Sequence, residues 1–247
     1  LLDVGTGRIP AFDATEAQNA VNKIKNYASP ASFGPWKNVV TYVADDKDNP
    51  ASENGTLDHL LDCEAVNQYY YDSAQVYNLY KIYCDAYNQV NTTSGGRYPM
   101  VNKAINDQIY NGTLLTSYSG HGSPDRWAHE AILTADDYGT WRNINKLPVM
   151  ITATCDFGRF DDPEHRSAGA RLSINPDGGS IAMITTTQVV YATENTDLNK
   201  AYTNAQFTRK DDGNWRTLGE ALYESKNKDA NDNNHKYVVL GDPALKL

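Results

Sequence analysis

The sequence predicts an α/β fold: a mostly parallel sheet with helices on both faces. Two observations carry this expectation. Apolar, β-prone runs alternate with segments of helical spacing along the 247 residues, which is the signature of parallel β–α units. Four of the runs also end abruptly in chemistry, at Asp45/Asp46, His121, Cys155 and Thr185–Gln188. Open α/β sheets bind ligands off the carboxyl ends of their strands, so four such ends support one shared site.

The elements follow in order. Residues 1–10 read as a short strand and turn, and Gly5-Thr6-Gly7 lacks the third glycine of a phosphate loop. Thr15-Glu-Ala-Gln18 reads as a capping box. Ala17, Ala20, Val21, Ile24 and Ala28 then share one helical face, until Ser29-Pro30 and Gly34-Pro35 stop it. Asn38–Ala44 is a strand and 47–56 a polar loop. Residues 57–90 are expected to be mostly helical. Their tyrosines, Tyr69, Tyr70, Tyr71, Tyr77, Tyr80, Tyr83 and Tyr87, either pack that helix or meet an extended peptide. A turn at Ser94–Arg97 precedes a helix from Pro99 to Ile109, which ends at Asn111-Gly112. The His121 strand follows, then a loop over 122–146 with a short helix near Thr134–Asp137, then the Cys155 strand. Ser167–Leu172 is a helix and Ser180–Thr187 a buried strand. Residues 197–208 and 217–226 are helices, 227–236 a hydrated loop, and Tyr237–Leu240 the last strand.

The length suits one large α/β domain or two small ones and is ample for a sizeable core. The chain opens at Leu1 inside structured-looking sequence. It is expected to be a single catalytic domain, 1–247, of a larger multidomain protein. A net charge of −9 argues against nucleic acid and anionic membrane as partners, since phosphates demand a basic surface. No apolar run approaches the ~20 residues that span a bilayer. Three cysteines leave at least one thiol unpaired within the chain. Cys63 and Cys84 can bridge in an oxidising compartment, which leaves Cys155.

Cys155 follows Thr152-Ala-Thr154, small residues that leave room around the sulfur. A thiolate attacks carbonyl carbon and needs a neighbouring base, for which His121 is the natural choice. Gly120 and Gly122 bracket that histidine, so a substrate backbone can approach and the Gly122 N–H can serve as an oxyanion donor. Singly, a strand cysteine reads as a structural thiol and a turn histidine as a cap. At two strand ends together they read as a nucleophile–base pair. Asp45 or Asp46 can orient the histidine. Alternatively they collect a structural Ca²⁺ with Asp48. His129, Glu130 and His165 lie near the site in sequence, His165 in an exposed segment. No GxSxG elbow supports a serine mechanism.

Ser119-Gly-His121-Gly-Ser123 with Trp127, and the closing Leu240-Gly-Asp-Pro-Ala-Leu245, resemble motifs of the gingipain family of cysteine peptidases. Three further stretches are similar to the sortase branch of that family: Thr152–Pro163, Gly179–Thr187 with Val190-Tyr191-Ala192, and Gly5–Pro10. The resemblance implies a caspase-like fold and a Cys–His dyad, Cys155 as nucleophile and His121 as proton carrier. It selects Asp46 as the acidic third residue, with Asp45 in reserve. It places Thr185, Thr187, Gln188 and Tyr191 in the substrate pocket and requires no cofactor. It further implies removal of C-terminal sorting domains from cargo of the type IX secretion system, through a thioester resolved by anionic lipopolysaccharide or water. The setting would be the outer face of a Gram-negative outer membrane, beside other components of that machine. A secreted gingipain-like endopeptidase and a non-catalytic docking domain are the alternative readings.

Overall fold

The structure is a computed structural model, which describes residues 2–47, 58–162, 164–228 and 231–247. In chain order its elements are α1 (Ala14–Tyr27), β1 (Val39–Ala44), α2 (His59–Ser73), β2 (Asn78–Tyr83), β3 (Val90–Thr92), β4 (Gly95–Arg97) and α3 (Pro99–Asn111). There follow β5 (Leu115–Ser119), α4 (Ala135–Tyr138), β6 (Val149–Ala153), α5 (Ala168–Ile174), β7 (Ala182–Thr186), α6 (Ala192–Phe207), α7 (Leu218–Lys228), α8 (Asp232–Lys236) and β8 (Tyr237–Leu240).

Six strands form one sheet in the order β2-β1-β5-β6-β7-β8. The first five are parallel and β8 is antiparallel to β7. The predicted α/β architecture with a mostly parallel sheet is therefore present. The chain moves outward from β1 to β2, then returns to lay β5 on the other side of β1. The strand order reverses at β1/β5, which is where such sheets open a ligand crevice.

Both faces of the sheet are covered, so its strands are apolar almost throughout. Val40, Tyr42, Leu115, Val149, Ile151 and Ile184 point to one layer with Val66 and Tyr70 of α2, Leu198 and Tyr202 of α6 and Leu222 of α7. Val43, Tyr118, Met150 and Met183 point to the other, with Val101 and Ile105 of α3 and Leu172 of α5.

The tyrosine-rich stretch divides. Tyr70 is buried, with ring centroids 6.1 Å from Tyr42, 5.9 Å from Tyr77 and 5.3 Å from Phe207. Tyr71 and Tyr80 are exposed. Residues 57–90 are not mostly helical as expected: α2 ends at Ser73 and Asn78–Tyr83 forms the edge strand β2. Aromatic side chains serve either element, and pairing to β1 decides in favour of the strand.

Other boundaries also shift. Asp13, not Thr15, caps α1: its carboxylate accepts the Glu16 N–H, while Glu16 accepts the Phe12 N–H. The buried face of α1 carries Ala20, Lys23 and Tyr27, whereas Val21 is exposed. Residues 227–236 hold the end of α7 and α8 rather than a loop throughout. Cys63 and Cys84 are both free and sit in the two different core layers, on opposite sides of the sheet, so they do not bridge.

Lys23 is 1% exposed and has no carboxylate partner among the described residues. Its ammonium instead donates to the carbonyls of Leu172, Ser173 and Gly178, at 3.0, 3.1 and 2.8 Å. Two of these are carbonyls of the last turn of α5, which lack helical partners. Burial pushes the ammonium down to about 7.

Candidate active site

Asp45, His121 and Cys155 all emerge at the carboxyl edge of the sheet, from the adjacent strands β1, β5 and β6. β5 ends at Ser119, and Gly120 turns the chain at φ 159. A Cβ at Gly120 would collide with Asp45 Cβ and the Tyr118 hydroxyl. His121 is then fixed by its backbone. Its N–H donates to Asp45 Oδ2 at 2.9 Å. Its carbonyl accepts from the Tyr118 hydroxyl at 2.6 Å and from the Ala128 N–H at 2.8 Å. Tyr118 is itself stacked on Trp127, with centroids 4.4 Å apart.

β6 delivers Cys155, and the next residue, Asp156, takes a left-handed conformation at φ 58. A non-glycine residue pays for that conformation, which turns the chain away sharply and leaves the thiol at the bend. The Cys155 S–H donates to the Val190 carbonyl at 3.7 Å. Burial pushes this thiol above its ordinary range. A nucleophilic role therefore needs a positive partner to favour the thiolate.

Cys155 and His121 line one cleft of about 420 Å³. Its floor includes Ser119, Gly120, Ala153 and Thr154, and one wall is Val189, Val190, Tyr191, Ala192, Thr193 and Asn195. Of the four residues expected in the pocket, Tyr191 lies in this wall. Thr185 is fully buried beneath it, sharing a 2.6 Å hydrogen bond with Thr152. Thr187 donates its hydroxyl to the Lys236 carbonyl at 3.1 Å, and the exposed Gln188 accepts the Asp156 N–H at 3.4 Å. β7 stops at Thr186, so the wall comes from the chain beyond it.

Gly122 pairs with Trp127 through the flanking bonds Ser123 N–H to Arg126 and Ala128 N–H to His121. In that kind of pair the Gly122 N–H points out of the hairpin. A Cβ at Gly122 would collide with the Thr154 hydroxyl.

The acidic residues take specific positions. Asp45 is 1% exposed, and burial raises its carboxyl to about 7 against the opposing His121 N–H and His59. It holds the backbone of His121. Asp46 accepts from the Tyr98 hydroxyl at 2.9 Å and from Gln89 at 3.4 Å. Asp45, Asp46 and Glu130 each place a carboxylate oxygen within 4.8 Å of the others, so together they could hold a cation. Asp45 and Asp46 already accept protein donors there, and Asp48 lies outside the described residues.

Two other histidines adjoin His121. His129 is exposed and stacks on it at 4.7 Å. His165 lies away, with its Nε2 3.0 Å from Asp125 Oδ2. His59 carries no motif of its own in the sequence. It opens α2, is 3% exposed, lines the cleft and meets the His121 ring edge-to-face at 5.5 Å. Its place at the start of the helix after β1, on the same sheet edge, was the available signal.

A thiol and an imidazole lining one cleft at the carboxyl edge of a caspase-like sheet describe a domain of the cysteine-peptidase class. A model of peptidase family C25 matches residues 1–247, and the chain belongs to this family of gingipain-type cysteine peptidases. Its fold is similar to that of the Arg-specific cysteine proteinase gingipain R, with 17% identity and TM-score 0.76, over 98% of this chain and 55% of that one. It is likewise similar to the Porphyromonas gingivalis complex of RgpB pro- and mature domains, with 17% identity and TM-score 0.77, over 98% and 56%. The Saccharomyces cerevisiae separase–securin complex aligns at 12% identity and TM-score 0.57, over 95% of this chain and 14% of that one. This chain thus spans about half the length of the gingipain chains it matches. No curated protein matches.

Proposed function

We propose that this chain is the catalytic domain of a sortase-type transpeptidase resembling PorU, which removes C-terminal sorting domains from type IX secretion cargo. One observation carries the chemistry: Cys155 and His121 line the same cleft. In this reading the Cys155 thiolate attacks the carbonyl at the junction with the sorting domain. The Gly122 N–H donates to the developing oxyanion, and His121 passes its proton to the leaving amine. The cargo remains as a thioester on Cys155. An amine of anionic lipopolysaccharide, or water, then attacks that thioester and frees the thiol.

The cleft lining supports a substrate with an uncharged side chain at the cleaved junction. No Asp or Glu is among its described lining residues, so a positively charged side chain would find no counter-charge there. The reading places the domain at the outer surface of a Gram-negative outer membrane, among other parts of the secretion machine. A Ca²⁺, if it serves the domain, would sit on Asp45, Asp46 and Glu130.

The test is cargo processing in cells carrying Cys155→Ala or His121→Ala. Cargo that keeps its sorting domain in both supports the reading. Normal processing in Cys155→Ala overturns it.

A further inference from the structure

We infer that the Asn195 carboxamide reads the side chain of the substrate residue whose carbonyl Cys155 attacks, by donating a hydrogen bond from its Nδ2 to an uncharged oxygen there. The side chain it selects is one that ends in an acceptor, an asparagine above all. Asn195 touches substrate and sets specificity, and it takes no part in the chemistry of the thiol. This assignment rests on the attack by Cys155 proposed above.

A chain of hydrogen bonds decides which end of the amide faces the cleft. Asn233, on α8 and fully buried, clamps both backbone groups of Tyr191. Its Oδ1 accepts the Tyr191 N–H at 3.1 Å, and its Nδ2 donates to the Tyr191 carbonyl at 2.7 Å. A backbone N–H can only donate and a carbonyl can only accept, so the Asn233 amide has one orientation. The same Nδ2 donates to Asn195 Oδ1 at 3.0 Å, and the Tyr237 hydroxyl donates to that oxygen at 2.9 Å. Burial holds the Tyr237 phenol protonated, with a smaller push in the same direction from Cys155, so it stays a donor. Asn195 Oδ1 is thus filled from the protein side.

What remains is Nδ2. Asn195 is 5% exposed and lines the cleft together with Cys155, yet its Nδ2 has no acceptor among the described residues. Nor is it one of the sealed, unpartnered polar atoms of the described fold, so it keeps access to the cleft. An amide held from behind by two donors is preorganised, and binding an acceptor costs it no rotamer freedom. The rest of the lining sets the charge of that acceptor. A charged side chain would meet no Lys, Arg, Asp or Glu among the described lining residues, and would lose its hydration without an ion pair. An alkyl side chain would suit the wall of Val189 and Val190 but leave the Asn195 N–H unanswered. A carboxamide oxygen answers it.

The experiment compares two affinity labels of one backbone, the acetyl-Ala-Ala-Asn and acetyl-Ala-Ala-Leu chloromethyl ketones, on the 247-residue chain. Asn and Leu side chains have nearly the same shape, and the covalent bond to Cys155 fixes the register. Each rate of Cys155 alkylation, followed by mass spectrometry, is divided by that of iodoacetamide in the same variant, which cancels any change in the thiol itself. The Asn label should react at least about tenfold faster than the Leu label. Asn195→Leu should abolish this preference. Asn195→Asp keeps an acceptor for Asn233 and Tyr237 but turns the N–H that faces the cleft into an oxygen, and should abolish it with less disturbance of the fold. Equal rates or a faster Leu label in the parent chain, or a preference unchanged in Asn195→Asp with its melting temperature retained, would overturn the role of Asn195 alone. Failure of iodoacetamide and both labels to modify Cys155 in the folded chain would instead remove the nucleophile, and this role with it.

Discussion

The Asp45 carboxylate holds the backbone of His121, accepting its N–H at 2.9 Å. The strand end of β1 thus fixes where β5 releases its histidine. Because Asp45 is buried, this hydrogen bond carries a proton cost that depends on pH.

Burial raises Asp45 to about 7, above the ~3.9 of an unfolded chain. Between those values the folded chain binds a proton that the unfolded chain has released. Asp45's contribution is therefore full below about pH 4 and is lost as pH rises through about 7, an effect of order a few kcal/mol. Asp45→Asn keeps an acceptor for His121 and removes the titration. Its melting temperature should vary less between pH 4 and 7 than that of the parent. An identical pH profile would show that Asp45 is not titrating in this range.

Gly120→Ala should disable the site without touching a reactive group. The new methyl would meet Asp45 Cβ, just past the end of β1, and the Tyr118 hydroxyl of β5. Overpacking of this kind costs about 1–3 kcal/mol, and here the displaced atoms are those that hold His121. Peptidase activity should fall by at least about tenfold, with a modest drop in melting temperature. Retained activity would mean that the strand end can adjust without moving the histidine.

Lys23→Met should lose three hydrogen bonds to backbone carbonyls while keeping much of the buried volume. The expected cost at neutral pH is about 2–3 kcal/mol, measured by denaturant unfolding. The pH dependence carries its own sign. Lys23 is held near 7 in the fold against ~10.4 when unfolded, so the unfolded chain binds the extra proton between these values. The parent should therefore gain stability as pH climbs from about 7 to about 10, and Lys23→Met should not.

Tyr70→Ala should destabilise the fold by about 3–5 kcal/mol, since it empties the centre of an aromatic cluster spanning α2, β1 and α6. Tyr71→Ala and Tyr80→Ala, at exposed rings, should stay within about 0.5 kcal/mol. Equal costs at all three positions would contradict the division of the tyrosines into core and surface.

The parallel sheet was legible because buried strands such as Val149–Ala153 and Ala182–Thr186 carry unbroken apolar or small residues between turns. β2 was not, because an edge strand with the pattern Asn-Leu-Tyr-Lys-Ile-Tyr buries only its last two residues and borrows its identity from β1. Asp13 was missed as a cap because Thr15 and Gln18 satisfy the same spacing, and only the fold shows which oxygen meets a free N–H. At the site, Cys155 and His121 could be read from strand ends. The pocket wall could not, since it depends on where β7 stops: Thr185 faces down and Val189–Asn195 take its place. His59 approaches His121 from another element entirely, and no local pattern encodes that distance.

The separation of the three cysteines turns the protein into its own reporter. Cys63 and Cys84 are sealed on opposite sides of the sheet, and Cys155 alone is partly open to solvent. The folded chain should consume one equivalent of a thiol reagent quickly, and two more only as it unfolds. A single titration would then count intact cleft mouths and denatured chains in the same tube. The fold, lacking a cross-link between its layers, should form equally well in reducing and oxidising media.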